Sequence, residues 1–478
     1  MLSQFRNHLL HIILGAINVA LAASSNAKLN KLERPFLLIV GMDAFRWDFI
    51  DKAHTPNFDL IIEDGVRAKH VKNVFPTKSA PNWYTIVSGL YVESHGVTNN
   101  HVYDPKIDPN GGIFIDAKCE DPRMWEAAEP IWITNQRQGG RSGLINFPFG
   151  MNVKFDKMVA TYTTNKYRND TTKEERVDRI VELFANGSIN LGIIYYSAVD
   201  HACHMHGPES KEAIASVEEM DKIAGYLVKK LKEKDLYDIM NIMFVADHGQ
   251  VEVNLKKAIF MNDHIDPSLY LGLKDNPMYS VFPYNVSKTD EIIEKLSNVE
   301  HLTVYTKDTM PEKFHYKHND RIPPIMVMTD VGWVITKDRS EKKSWNGIRG
   351  SHGYSNDLPE MWPFFVATGP GFKKGIKSAE PFNSVDIYSL MCHLMQLEAA
   401  PHNGSLENVK HLLASQADTE GGPSAQYGVR LFICVLVIVI ETIVLIGGIL
   451  WYRRQRKSAH RLIHDVQLEG LLNNEEES

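Results

Sequence analysis

Apolar runs separated by polar turns divide the chain into buried strands and amphipathic helices. Pro35-Phe-Leu-Leu-Ile-Val40, Leu191-Gly-Ile-Ile-Tyr-Tyr196 and Asn241-Ile-Met-Phe-Val-Ala246 are short, nearly continuous apolar runs. That is the pattern of parallel strands covered on both faces. Val71 to Phe75, Pro130 to Ile133, Gly143 to Asn146 and Pro363 to Ala367 read as further strand pieces. Lys173 to Phe184 and Lys211 to Leu231 place apolar residues at helical spacing; in the second, Ile214, Val217, Met220, Ala224, Leu227 and Leu231 share one face. Trp83 to Leu90 and Val385 to Leu397 are also helical, with Ser79 as an N-cap candidate and Pro81 in the first turn. The alternation of strand and helix predicts an α/β fold, mostly parallel. Residues 270–340 are less regular and rich in Pro, Lys and Asp, and are expected to form a small insertion lobe. No internal repeat is visible.

The two ends break this pattern. Residues 1–23 join a basic start at Arg6 to an apolar run and small residues at Ala20, Ala22 and Ala23, which predicts a secretory signal peptide. Leu431 to Tyr452 is rich in Ile, Val and Leu and is followed by Arg453, Arg454, Arg456 and Lys457. By length and by the positive-inside rule it is expected to be a transmembrane helix of a single-pass type I protein at the plasma membrane, with the large domain before it extracellular. The expected layout is signal 1–23, lead-in 24–34, main domain 35–415, stalk 416–430, transmembrane helix 431–452 and cytoplasmic tail 453–478. Sequons at Asn169, Asn186, Asn285 and Asn403 are glycosylation candidates in the outer part.

With 478 residues, 44% hydrophobic and 23% charged, the chain is globular in composition. Its net charge of −7 argues against a nucleic-acid polymer as partner, which would need clustered Lys and Arg. Cys119, Cys203 and Cys392 precede the C-terminal span and Cys434 lies in it. Three thiols cannot all pair internally, so the core rather than a disulfide framework must carry stability.

The strand ends hold the chemistry. Asp43 follows the first apolar run, Asp200 and His204 follow the second one helical turn apart, and Asp247-His248-Gly249 follows the third. His352 stands in Gly350-Ser-His352-Gly-Tyr354. Open α/β sheets bind ligands at the carboxyl ends of their strands. Three carboxylates and three imidazoles suit two zinc ions with three protein ligands each. Two close metals serve in-line displacement at phosphorus. Ser79 or Thr77 could supply a nucleophilic hydroxyl.

These residues lie in segments that resemble the ectonucleotide pyrophosphatase/phosphodiesterase family of the alkaline phosphatase superfamily. The matching pieces are Asp43-Ala-Phe-Arg-Trp-Asp48, Phe75-Pro-Thr-Lys-Ser-Ala-Pro-Asn82, Ser88-Gly-Leu-Tyr-Val-Glu-Ser-His-Gly96, Asp200 through Pro208, Asp247-His-Gly249 and His352-Gly-Tyr354. Pro130-Ile-Trp-Ile-Thr-Asn-Gln136 and Pro401-His-Asn-Gly-Ser405 resemble members four and five in particular. The resemblance implies an alkaline-phosphatase-like fold and a zinc-dependent phosphodiesterase/pyrophosphatase acting on extracellular nucleotides. It implies one zinc on Asp200, His204 and His352, and another on Asp43, Asp247 and His248 together with the nucleophile Ser79, which would form a covalent nucleotidyl-serine intermediate. Asn100 would hydrogen-bond the phosphate oxygen, and Tyr162 is a candidate for one face of the base site.

The chain departs from the family pattern at several of these positions. Ser79 stands where the family usually has Thr, and Ala80 where relatives have an aromatic that stacks on the base. Ala44 and Cys203 replace glycines, and Ser355 replaces an Asp. Three rivals follow: a choline or lipid phosphodiesterase of the same fold, a sulfatase, and a surface binding or adhesion protein with a vestigial site. The Ser-x-Pro start of the sulfatase motif continues in Ser-Arg, whereas Asn82-Trp83 follow here.

Overall fold

The computed structural model describes residues 34–116, 118–164, 171–341, 347–415, 441–442, 444–459 and 461. The described residues up to Ala414 form one compact unit and those from Ser415 onward a second. The signal peptide, nearly all of the lead-in, the stalk and Asn169 lie outside the described residues.

The first unit is built on an eight-stranded sheet. Its strands are β1 (Phe36–Met42), β2 (Gly65–Ala68), β3 (Ser142–Ile145), β4 (Tyr162–Thr163), β5 (Leu191–Tyr196), β6 (Met240–Val245), β7 (Phe365–Thr368) and β8 (Ile376–Ala379), in the order β8-β2-β7-β6-β1-β5-β3-β4. Pairing is parallel except at β7, which runs against both β2 and β6. The period-two rule divides the side chains between two cores. Leu37 and Ile39 of β1 join Ile193 and Met243 on one face, beside helices 131–137, 386–395 and α1 (Ser79–Ser88). Phe36, Leu38, Val40 and Met42 join Ile194 and Phe244 on the other, against helices 56–63, 173–185 and 211–233. The α/β expectation therefore holds. Gly41 is needed because a Cβ there would meet the ring of Trp83 at 2.7 Å.

Local details differ from the pattern-based reading. Pro130 to Ile133 is not a strand: Ile131–Arg137 is a helix that buries Ile131, Trp132 and Ile133. An apolar run of that length cannot by itself distinguish a buried strand from a buried helix. The helix expected at Trp83 begins at Ser79, and its N-cap is Lys78 with no side-chain cap bond. The insertion lobe is an antiparallel sheet of Tyr270–Asp275, Met278–Pro283, Ile325–Thr329 and Leu302–Thr306 with its own apolar core. Lys78 ties it to α1 through a 2.8 Å ion pair with Asp275.

The helix Pro56–Glu63 has no cap bond from its own Thr55. Buried Asp221 supplies it from helix 211–233, accepting the N–H groups of Phe58 at 2.8 Å and Asn57 at 3.3 Å. Asp221→Ala leaves those donors buried and unpaired, and should cost about 2–3 kcal/mol, read as a lower midpoint in urea unfolding.

In the second unit, described on its own, residues 444–459 are helical and exposed. Residues 431–440 and 443 lie outside the described residues. No helix among the described residues is long and apolar enough to cross a membrane. This overturns the expected transmembrane, single-pass type I chain, its membrane partnership through a C-terminal helix and its plasma-membrane location.

Candidate active site

The three central strands β6, β1 and β5 end side by side, and each delivers ligands at its carboxyl end. Asp43 follows β1. Asp247 and His248 follow β6. Asp200 and His204 lie one turn apart on α2 (Ala198–His206), the helix that continues from β5. His352 arrives from far along the chain on the strand Gly350–Ser351, which pairs with Val251–Glu252 just after His248. A Cβ at Gly350 would sit 2.3 Å from the Cys203 carbonyl, so glycine lets this strand close on α2.

Two sets of three candidate ligands result, Asp200 with His204 and His352, and Asp43 with Asp247 and His248; within each, the donor atoms lie within 4.8 Å of one another. All three imidazoles are oriented alike. His204 Nδ1 bonds the Gly350 carbonyl at 2.9 Å, His352 Nδ1 that of Thr77 at 2.9 Å and His248 Nδ1 that of Gly249 at 3.0 Å. Each Nε2 is left to face the site, the arrangement that metal-ligating histidines require. The carboxylates are divided in the same way. Asp43 Oδ2 accepts the Tyr195 hydroxyl and, at 3.3 Å, the Trp83 indole N–H. Asp247 Oδ1 accepts the N–H groups of Ala44 at 3.1 Å and His248 at 3.0 Å. The remaining oxygens, Asp43 Oδ1 and Asp247 Oδ2, have no hydrogen-bond partner among the described residues. They lie 3.5 and 3.2 Å from His248 Nε2.

Electrostatics point the same way. Burial, then the charge of Asp200, pushes Asp43 up to about 8. Burial and Asp43 raise Asp247 well above the carboxylate range. Burial pushes His248 down to about 3 and lowers His352 too, keeping both imidazoles neutral. Between Asp200 and His204, burial disfavours both charges, but their mutual attraction outweighs it, lowering the acid and raising the imidazole. A dense acidic cluster with neutral imidazoles and outward-facing orphan oxygens is costly alone and suited to divalent cations. The residues present therefore fit two metal ions.

A cleft of about 920 Å³ opens over this centre, lined by Asp43, Ser79, Asn100, Asp200, His204 and His352 and walled by Phe114, Phe149 and Tyr195. Ser79, the first residue of α1, has its Oγ 3.1 Å from His248 Nε2. Thr77, the other hydroxyl candidate, is fully buried; its Oγ1 donates to the Tyr354 carbonyl and accepts the Gly353 N–H. Asn100, which lines the cleft, is held by its Oδ1 accepting the Ala80 N–H at 2.8 Å.

Other expected residues lie elsewhere. Tyr162 is on edge strand β4 with the Arg179 guanidinium over its ring, and does not line the cleft. Ala80 is fully buried in the core. Cys203 is buried in the other core, its thiol raised by burial, and belongs to neither ligand set. Cys119, Cys203 and Cys392 are all free thiols. Asn186, Asn285 and Asn403 are exposed. Tyr195, Trp83 and Gln250 went unnoticed in the sequence. Within apolar segments the two aromatics read as core, and only strand parity, which puts Tyr195 on the Trp83 side with Ile193, could have singled one out.

Residues 37–355 match the family described as type I phosphodiesterase / nucleotide pyrophosphatase. Human ectonucleotide pyrophosphatase/phosphodiesterase family member 5 is 38% identical over 407 residues, covering 84% of this chain and 83% of that protein. The human bis(5'-adenosyl)-triphosphatase ENPP4 is 38% identical over 386 residues, covering 80% of this chain and 83% of that protein. The structure of murine member 5, in an inactive threonine-to-alanine form in complex with AMP, aligns with a TM-score of 0.75 at 39% identity, covering 80% of this chain and 100% of that one. Human member 5 aligns with a TM-score of 0.75 at 39% identity, with coverage of 80% and 100%. The chain therefore belongs to the ectonucleotide pyrophosphatase/phosphodiesterase family of the alkaline phosphatase superfamily, is closely related to its members four and five, and is a hydrolase of the ecto-phosphodiesterase/pyrophosphatase type with a two-metal catalytic site.

Proposed function

We propose that residues 35–415 form a zinc-dependent catalytic domain that hydrolyses nucleotide phosphodiester or pyrophosphate bonds, with Ser79 as nucleophile. The observation that carries this reading is the 3.1 Å approach of Ser79 Oγ to His248 Nε2, beside the orphan oxygens of Asp43 and Asp247. Asp200, His204 and His352 would hold one zinc, and Asp43, Asp247 and His248 the other. Bound zinc supplies charge neutralisation at the phosphoryl oxygens and lowers the pKa of a hydroxyl beside it.

The chain's own groups do the rest. Ser79 Oγ forms a bond to phosphorus as the bond to the leaving oxygen breaks, and its proton passes to the solvent or to that leaving oxygen, giving a nucleotidyl-serine. Water then cleaves that ester and returns the serine proton. The NH₂ of Asn100, a group that lines the cleft, donates to a non-bridging oxygen as negative charge builds there. Nδ1 anchoring keeps the three imidazoles fixed while charge moves between the two sides. In the relative bound to AMP, loss of a threonine hydroxyl gives an inactive protein; Ser79 offers the corresponding chemistry here.

The direct test is zinc content of the purified protein together with hydrolysis of a p-nitrophenyl nucleotide ester and a dinucleoside triphosphate, the latter because related proteins are named bis(5'-adenosyl)-triphosphatases. Near two zincs per chain with hydrolysis of either substrate supports the reading, and zinc-free, inactive protein rejects it. A choline ester belongs in the same panel. Asp116 and Glu120 line the cleft with Phe114 and Phe149, a combination that also suits a quaternary ammonium.

A further inference from the structure

We propose that Gln250 is a positioning residue for the metal set Asp200, His204 and His352, an inference that rests on the two-metal reading above. Gln250 is fully buried. Its Nε2 donates to Asp200 Oδ1 at 2.6 Å and to the Asp200 carbonyl at 3.3 Å. Both partners can only accept, so the orientation of the amide is fixed. Its Oε1 is turned toward Gly350, where a Cβ would approach to 2.7 Å. That oxygen has no hydrogen-bond partner among the described residues. The Gly350 carbonyl is in turn the acceptor for His204 Nδ1 at 2.9 Å. Gln250 thus fills the space between the Asp200 carboxylate and the backbone that aims His204.

The side chain is delivered by a locked backbone. The Gln250 carbonyl accepts Arg46 Nη1 at 3.1 Å, and the buried Arg46 guanidinium is itself held by Asp48 and Glu209. One residue earlier, the Gly249 N–H donates to the Met361 carbonyl at 2.9 Å.

An amide buried with an orphan oxygen is a poor core residue, since an apolar side chain of the same volume would avoid the desolvation. What the amide offers in exchange is a donor to Asp200. Without it, the Asp200 carboxylate is restrained mainly by His204, whose Nε2 lies 3.3 Å from Asp200 Oδ1, and by its own helix. A hydrogen-bond donor that holds a metal-ligating carboxylate in place typically contributes about 10–100-fold in metal affinity. The side chain makes no hydrogen bond to Asp43, Asp247 or His248, so the effect falls on one zinc of the two.

The test is zinc competition against a chromophoric chelator with the full chain and its Gln250→Leu and Gln250→Met variants, alongside the visible spectrum of each cobalt-substituted protein. Wild type should hold two zincs. In Gln250→Leu one zinc should bind about 10–100-fold more weakly, the other should be unchanged, and the cobalt bands should shift; excess zinc should restore kcat. Gln250→Met, of similar length but without a donor, should weaken the same zinc by a comparable factor, and it stands in if the leucine variant does not fold. A purely structural role would lower Tm without separating the two zinc affinities or moving the cobalt bands. Wild-type zinc affinities at both sites in a folded variant would overturn the proposal. A wild type that binds no zinc would instead overturn the two-metal reading on which it rests.

Discussion

Replacing Ser79 with alanine should lower turnover of a p-nitrophenyl nucleotide ester by about 10³-fold or more while leaving zinc content and fold intact. Activity and stability separate cleanly here because of where the hydroxyl sits. Ser79 opens α1, yet the helix takes no side-chain cap bond from it or from Lys78; its Oγ instead faces His248 Nε2. Removing it should therefore leave helix stability nearly unchanged, with Tm within about 2 °C of wild type. The rival Thr77 cannot substitute, because its hydroxyl is held between the Tyr354 carbonyl and the Gly353 N–H. Ser197 also lines the cleft, so Ser197→Ala is the control, and activity lost there but kept in Ser79→Ala would transfer the role. Ser79→Thr should retain turnover within about tenfold, since it keeps the oxygen and changes mainly the freedom about χ1.

Chelation should abolish turnover and create a pH-dependent instability that the metal-loaded protein lacks. Without ions, Asp43 is pushed up to about 8 by burial and by Asp200, from an ordinary value of 3.8, and Asp247 is raised by burial and by Asp43. An acid raised in this way keeps a proton in the folded state that the unfolded chain has already released. Stability therefore falls as pH rises between those two values. His248 and His352 act in the opposite direction at lower pH: burial keeps them neutral when folded, so stability falls as pH drops through their ordinary 6.5. His204, raised above its ordinary 6.5 by Asp200, acts in the same direction as the carboxylates, so between pH 6.5 and 8 the acids and this imidazole together lower stability as pH rises. The Tm of the chelated protein should fall across that window, and the zinc-loaded protein should show a smaller slope, because divalent charge replaces the protons. Free zinc at about 1,000 times its dissociation constant should add about 4 kcal/mol per site. Equal pH slopes with and without chelator would show that these carboxylates do not share a metal.

The ligand positions were legible because buried parallel strands leave a plain trace in sequence: an apolar run such as Phe36 to Val40 ends, and the next polar residue stands at the sheet's carboxyl edge. Asp43, Asp247 and His248 stand directly at such run ends, Asp200 lies a few residues past Tyr196 and one helical turn before His204, and the α/β class follows from the same periodicity. How the ligands divide into two sets came from the family resemblance, since a position at the edge does not say which neighbour a side chain faces. Local pattern failed at Pro130–Ile133, where a short apolar run is equally compatible with helix.

The amino-acid sequence by itself determined the strand-end chemistry, the fold class and the family. Tertiary structure alone decided which atoms act. It brought His352 to Asp200 across the sheet edge, satisfied one oxygen of Asp43 with Tyr195 and Trp83 and left the other free, consumed the Thr77 hydroxyl and exposed that of Ser79. It also set Gln250 against Asp200 and placed Tyr162 outside the cleft. The physical reason is that hydrophobic periodicity is a local property of the chain, whereas hydrogen-bond satisfaction and metal geometry depend on partners distant in sequence, such as Thr77 for His352 and Asp200 for Gln250.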